Sequence, residues 1–160
     1  MNTFSQIPIR RKDREISRED TERILREAEY GTLAMCDDGE PYAVPVSFVF
    51  WQNAVWIHSA QAGRKIRILE KSPRVHFSVA QNVQAVFTKH FTSFYESAMI
   101  SGKAVFVTDE NEKRAALREL CRKYLPERMD VAGEHISRSL AATAILKIPA
   151  ETLAGKAQRP

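Results

Sequence analysis

Residues 58 to 65 read His58-Ser59-Ala60-Gln61-Ala62-Gly63-Arg64-Lys65 and gather an imidazole, a hydroxyl, a glycine and two adjacent cations in one short stretch. The apolar run Ala54-Val55-Trp56-Ile57 before them predicts a strand, and Ile66-Arg67-Ile68-Leu69-Glu70-Lys71 after them predicts a short helix. The stretch is therefore a strand-to-helix turn. A helix start carries unpaired backbone N–H groups and a partial positive charge. With Arg64 and Lys65 beside it, the turn has the makings of a phosphate socket. An ordinary basic surface turn would have the same composition, so the chemistry alone leaves both readings open.

Other chemistry is weaker. The four histidines, His58, His76, His90 and His135, are scattered, with no His-Glu-x-x-His and no cysteine cluster, which argues against a zinc site. Neither a Gly-x-Ser-x-Gly elbow nor a Gly-x-Gly-x-x-Gly or Walker-type loop occurs. Phe48, Phe50, Trp51 and Trp56 offer rings for base stacking, but they fall in a hairpin pattern, which favours core and dimer packing. The charges of 112–122 mix signs at helical spacing, the mark of a solvated helix face.

The elements that must position the turn follow from the pattern. Residues 17–29 predict a helix capped by Ser17 or Asp20, with Ile24, Leu25 and Ala28 as its apolar stripe and Gly31 as its end. Asp38-Gly39 and Gln52-Asn53 separate three apolar runs, which predicts a three-strand antiparallel meander with Pro45 on an edge or a broken strand. Val75 to Val79 predicts a fourth strand, 80–92 a long loop, and 94–107 one bent strand or two with Gly102 at the bend. Asp109-x-x-Glu112 opens a helix in the manner of a capping box. Residues 130–139 predict a short helix, and 141–148 a last strand. Some six antiparallel strands with peripheral helices predict a mainly β protein, a closed or partly closed β-barrel, within one domain over 1–160 whose first 16 residues form an arm.

Bulk properties set limits. The chain has 160 residues, 44% hydrophobic and 28% charged, with a net charge of +4. The mildly basic balance suits an anionic ligand, while the interspersed acidic residues argue against nucleic acid. No apolar run predicts a membrane span or a secretory signal; Arg10-Arg11 lacks the apolar segment of a twin-arginine signal. Cys36 and Cys121 lie apart in apolar patterns, which predicts reduced core thiols in a cytoplasmic protein.

Four segments, in this order, resemble the FMN-binding split-barrel family of pyridoxamine 5′-phosphate oxidase-like proteins, and within it the nitroimidazole-resistance branch. They are Arg10 to Ile16; Gly31-Thr32-Leu33-Ala34 with Gly39-Glu40-Pro41-Tyr42-Ala43-Val44-Pro45-Val46-Ser47-Phe48; Ile57 to Ala60 with Gly63-Arg64-Lys65; and Leu153-Ala154-Gly155-Lys156. The resemblance implies a six-stranded antiparallel split barrel that forms a homodimer with FMN between its subunits. It implies that Arg64 and Lys65 hold the phosphate, with Gly63 and Ala60 in the same turn, that Ser59 adds a hydroxyl, and that His58 lies near the phosphate or ribityl chain. Backbone around Val44, Pro45, Val46 and Ser47 would face the flavin ring, and Tyr95 and Ser97 would come from the second subunit. The physics agrees: the phosphate carries about two negative charges near neutral pH, and a strand broken at Pro45 leaves backbone groups for the ring edge. Val44 and Val46 are equally suited to the core.

The function so implied is an FMN-dependent oxidoreductase passing electrons from NADH or NADPH to a small acceptor such as a nitro compound or quinone. Alternatives on the same barrel are a non-catalytic flavin or haem carrier or sensor, with His76 or His90 open as haem ligands, or a site for a deazaflavin or a pyridoxal-type phosphate.

Overall fold

The computed structural model describes residues 9–87, 89 and 91–160. His90, one of the two histidines left open for haem, lies outside them. Among the described residues the chain forms helix α1 (Arg18–Glu27), strands β1 (Tyr30–Asp37), β2 (Glu40–Ser47), β3 (Val49–Trp51) and β4 (Ala54–Ala60), and helix α2 (Arg64–Lys71). Then come β5 (Arg74–Phe87), β6 (Phe91–Lys103), β7 (Val105–Phe106), α3 (Glu110–Tyr124), α4 (Met129–Ser139), β8 (Thr143–Pro149) and β9 (Thr152–Gln158).

The strands make two antiparallel sheets, ordered β2-β1-β5-β6-β9 and β3-β4-β8-β7. Nine strands stand where six were expected, and the architecture is the expected mainly β split barrel. Between the sheets lies a core holding Leu33, Phe48, Ile57, Phe77, Ile100 and Leu146, all at 0% exposure. A second core on the far face of the four-stranded sheet joins Trp56 and Ile145 to Leu117 and Leu120 of α3 and Ile136 of α4. Sandwiched between two cores, β4 reads as the unbroken apolar run Ala54-Val55-Trp56-Ile57 rather than as an alternation.

Both hairpin turns form as their sequences demand. Asp38 (φ 51°) with Gly39 (φ 93°), and Gln52 (φ 49°) with Asn53 (φ 54°), all take the positive φ that a two-residue hairpin of type I′ requires. The expected meander, however, is divided. The run 42–50 breaks at Phe48, so that β2 closes one sheet and β3 starts the other. The Tyr124 hydroxyl fills the gap, accepting the Phe48 N–H at 2.9 Å and lying 2.5 Å from the Glu29 carbonyl.

Other corrections concern glycine and the long hairpin. Helix α1 ends at Ala28, and Gly31 sits inside β1, where a Cβ would meet the Phe77 ring at 2.0 Å. Gly102 does not bend its strand; a Cβ there would lie 2.2 Å from the Pro149 carbonyl oxygen. The irregularity falls between Gln81 and Gln84 instead, with Asn82 at φ 53°, and the expected loop over 80–92 is largely strand. Cys36 is exposed rather than in the core, because its position on β1 faces away from the sheet interface. No helix among the described residues is long and apolar enough to cross a membrane.

Candidate functional site

Strand β2 is an edge strand, paired only with β1, and Pro45 lies on it opposite Thr32. Val46 is buried and Val44 half-buried against the central core, so their side chains are spent on packing. What this strand can present along its free edge is backbone, with Pro45 contributing no N–H. Strand β4 pairs with β3 only as far as Trp56, while its pairing with β8 continues to Ala60. His58, Ser59 and Ala60 therefore also have one unpaired backbone edge. Strands β2 and β4, which belong to different sheets, are also in contact with one another.

Helix α2 starts where β4 ends. Its cap, Gly63, takes φ 125° and ψ 175°, a conformation that only glycine adopts without strain. No side chain caps the helix, and its first turn holds no acidic residue. Two cations instead stand at the positive end of the helix, where an anion would be favourable. Lys65 is half-buried and makes no ion pair among the described residues; desolvation pushes its amine below the usual lysine range. Burial first, and the charge of Lys65 second, push the His58 imidazole down. Arg64 lies over Tyr42, its Cζ 4.4 Å from the ring centroid, with Asp37 3.7 Å away.

Val44–Ser47, His58–Ala60 and Gly63–Lys65 thus lie on neighbouring elements: β2 contacts β4, and Arg64 at the start of α2 reaches Tyr42 on β2 and Asp37 on β1. The structure puts Tyr95 and Ser97 elsewhere, on the outward face of β6, with Pro45 as the shared neighbour. There they line a cleft of about 570 Å³ with Tyr30, Thr32, Ser78 and Lys156. Arg14 of the N-terminal arm packs on Tyr95, its guanidinium carbon 5.8 Å from the ring centroid. The arm is fastened by the Ile16 N–H to the Gly155 carbonyl at 3.3 Å, and a Cβ on Gly155 would meet Thr21 at 2.1 Å. Tyr42, Asp37 and Lys156 are the site-lining residues that sequence reasoning left unassigned, though all three fall in or beside the segments quoted above. His76 shares a 2.9 Å hydrogen bond with Ser101, which occupies its Nδ1.

A sequence profile of the pyridoxamine 5′-phosphate oxidase family matches residues 17–157, and the chain belongs to that family. It is similar to the crystal structure of a candidate 5-nitroimidazole antibiotic resistance protein from Bacteroides thetaiotaomicron. That match has 27% identity and a TM-score of 0.75, covering 89% of this chain and 85% of that one. A flavocytochrome from Azotobacter vinelandii matches at 20% identity and a TM-score of 0.81 over 96% of this chain and 73% of its own. An FAD- and haem-binding protein from Mycobacterium smegmatis matches at 23% and 0.73, over 90% and 72%. At these identities the last two show the fold alone. Among curated proteins, an uncharacterized protein of Rhizobium meliloti is 29% identical over 68 residues; the match spans 42% of this chain and 44% of that protein.

Proposed function

We propose that the chain binds FMN and acts as an oxidoreductase between a reduced nicotinamide, NADH or NADPH, and a small acceptor such as a nitro compound or a quinone. The observation that carries this reading is the start of α2: an uncapped, glycine-led helix whose first two residues are cations, one of them half-buried with no counter-ion among the described residues. A dianionic phosphate supplies the charge this corner lacks, and the residues fit it by donor type as well as by sign.

On this reading Arg64, Lys65 and the first backbone N–H groups of α2 hold the phosphate, and Ser59 and His58 lie along the chain that leads from it. The free edges of β2 and β4 orient the ring by backbone, and the core behind Val44 and Val46 keeps water from that side. The outward cleft with Tyr95 and Ser97 belongs to the wall that a second copy brings to the ring, which makes the working unit a homodimer. The flavin, when bound, supplies the electron-transfer chemistry; the chain supplies binding, orientation and a positive field at the phosphate.

The test is a visible spectrum of purified protein, taken as isolated and again after incubation with FMN and gel filtration. The expected result is flavin absorbance co-eluting at the size of a dimer. Protein that stays colourless after incubation contradicts the proposal. Consumption of NADH or NADPH in the presence of a nitroaromatic or quinone then tests the activity.

A further inference from the structure

Arg64 is held in an unusual way. Its guanidinium carbon lies over the Tyr42 ring, 4.4 Å from the centroid, yet its side chain makes no hydrogen bond among the described residues. The nearest carboxylate oxygen, on Asp37, is 3.7 Å from Nη2, close enough for attraction and too far for a hydrogen bond. A cation–π contact holds a guanidinium in place without using its N–H groups, the fork that takes a phosphate or carboxylate with two parallel bonds.

The platform is itself anchored. Tyr42 stands on β2 opposite Met35, and its ring packs against the central core, so it cannot swing away with the arginine. Asp37 is the last residue of β1, opposite Glu40, and is fixed by the Asp38-Gly39 turn. Both residues therefore come from one hairpin whose geometry the sequence specifies tightly. Asp38 and Glu40 of the same turn form no ion pair with Arg64.

We propose that this hairpin supplies two positioning residues to the phosphate corner: Tyr42 as a platform that presents the edge of Arg64, and Asp37 as an internal stand-in anion that the incoming phosphate displaces. The proposal rests on the FMN reading above and makes Asp37 an antagonist of binding. The two residues would then set how strongly the protein prefers a phosphorylated flavin to the same flavin without its phosphate.

The experiment is fluorescence titration of the full chain with FMN and, separately, riboflavin. Asp37→Asn is expected to tighten FMN about two- to fivefold, the range of an exposed ion pair, and to leave riboflavin unchanged. Glu40→Gln, the same charge change across the turn, is expected to do neither. Tyr42→Leu keeps the apolar bulk and is expected to weaken FMN about three- to fivefold with riboflavin unaffected; Tyr42→Phe, which keeps the ring, restores wild-type affinity. In an Arg64→Ala background neither change at 37 nor at 42 moves the FMN affinity. The proposal is overturned if Asp37→Asn leaves FMN affinity unchanged or weakens it, or if Tyr42→Leu weakens both flavins equally. Wild-type protein that binds no FMN defeats the functional reading itself, a result distinct from either.

Discussion

Two charged clusters of this molecule are built on opposite plans. At one end of the barrel, Glu96 is buried at 6% exposure and accepts from Arg23 and Arg159 at 2.8 Å each, from Gln81 at 3.0 Å and from Asn82 at 2.9 Å. Asp20 also accepts from both arginines, at 2.7 Å from Arg23 and 2.6 Å from Arg159, and Glu27 takes the Nη1 of Arg23. Every charge there has an opposite within hydrogen-bond reach, which ties α1, β5, β6 and the C-terminal residues together. At the α2 corner the cations outnumber their partners. The helix starts repeat the contrast. Ser17 caps α1 by accepting from the Asp20 N–H at 3.1 Å, Asp109 caps α3 by accepting from Glu112 at 2.8 Å, and both first turns are acidic. Only α2, of these three, opens with Arg and Lys and no side-chain cap. Helix α4 also lacks a side-chain cap, but its first turn holds Asp130; α2 has neither a cap nor an acidic first turn, and that is the charge a bound phosphate would supply on the proposed reading.

The contrast can be broken by substitution. Replacing Arg64 and Lys65 together by Ala should cost about 3–5 kcal/mol of FMN affinity, since charge-assisted hydrogen bonds are worth about 1.5–3 kcal/mol each; isothermal titration measures it. The closed cluster should respond in stability instead. Glu96→Gln leaves two arginines short of a buried carboxylate and should cost about 2–3 kcal/mol near neutral pH in urea unfolding. That cost is pH-dependent. Burial alone would raise the Glu96 carboxyl, but the bonds from Gln81, Arg23, Arg159 and Asn82 outweigh it and hold the pKa at about 2, below the ordinary 4.5. A carboxyl depressed in the fold stabilises above its unfolded pKa, and that stability drains away as pH falls from about 4.5 to about 2. The gap between wild type and Glu96→Gln should therefore close across that window; a constant gap would mean the carboxylate charge is not what holds the cluster.

Smaller effects sharpen the comparison of helix starts. Asp109→Ala should lower stability by about 1 kcal/mol, as loss of an N-cap does, and leave FMN affinity alone. Arg64→Ala should change the stability of flavin-free protein by no more than about 0.5 kcal/mol, being half-exposed and loosely paired. Thermal unfolding with and without FMN reads both. A large stability loss for Arg64→Ala without flavin would make this residue structural.

Much of this was legible in the chain, for local reasons. Asp38-Gly39 and Gln52-Asn53 marked their hairpins because positive φ favours a small set of residues. Ser17 and Asp109 marked their helices, and the 58–65 turn showed its charge and its glycine. Where the residues bury on both sides, the code thinned. The switch between sheets at Phe48 left no polar mark, because the strands before and after it face the same apolar interior. Only the outer part of the β5–β6 hairpin, 80–92, reads as a loop, for the opposite reason: Val83, Phe87 and Phe91 are exposed at 67%, 70% and 90%, so this end has no buried face to impose a period of two. Tyr42 and Asp37 went unassigned because their part depends on a contact with Arg64 from an element some twenty residues onward. Separations of that kind are set by packing rather than by spacing. The cleft around Tyr95 and Lys156 likewise needs five strands, β2, β1, β5, β6 and β9, brought side by side before it exists.

The measurement that bears most directly on the α2 corner is the affinity of wild-type protein for FMN against riboflavin, which differ only in the phosphate. If Arg64, Lys65 and the helix start grip that group, FMN binds at least about 100-fold tighter, and the preference vanishes when both cations become Ala. Equal affinity for the two flavins would mean that the phosphate is bound elsewhere or not at all.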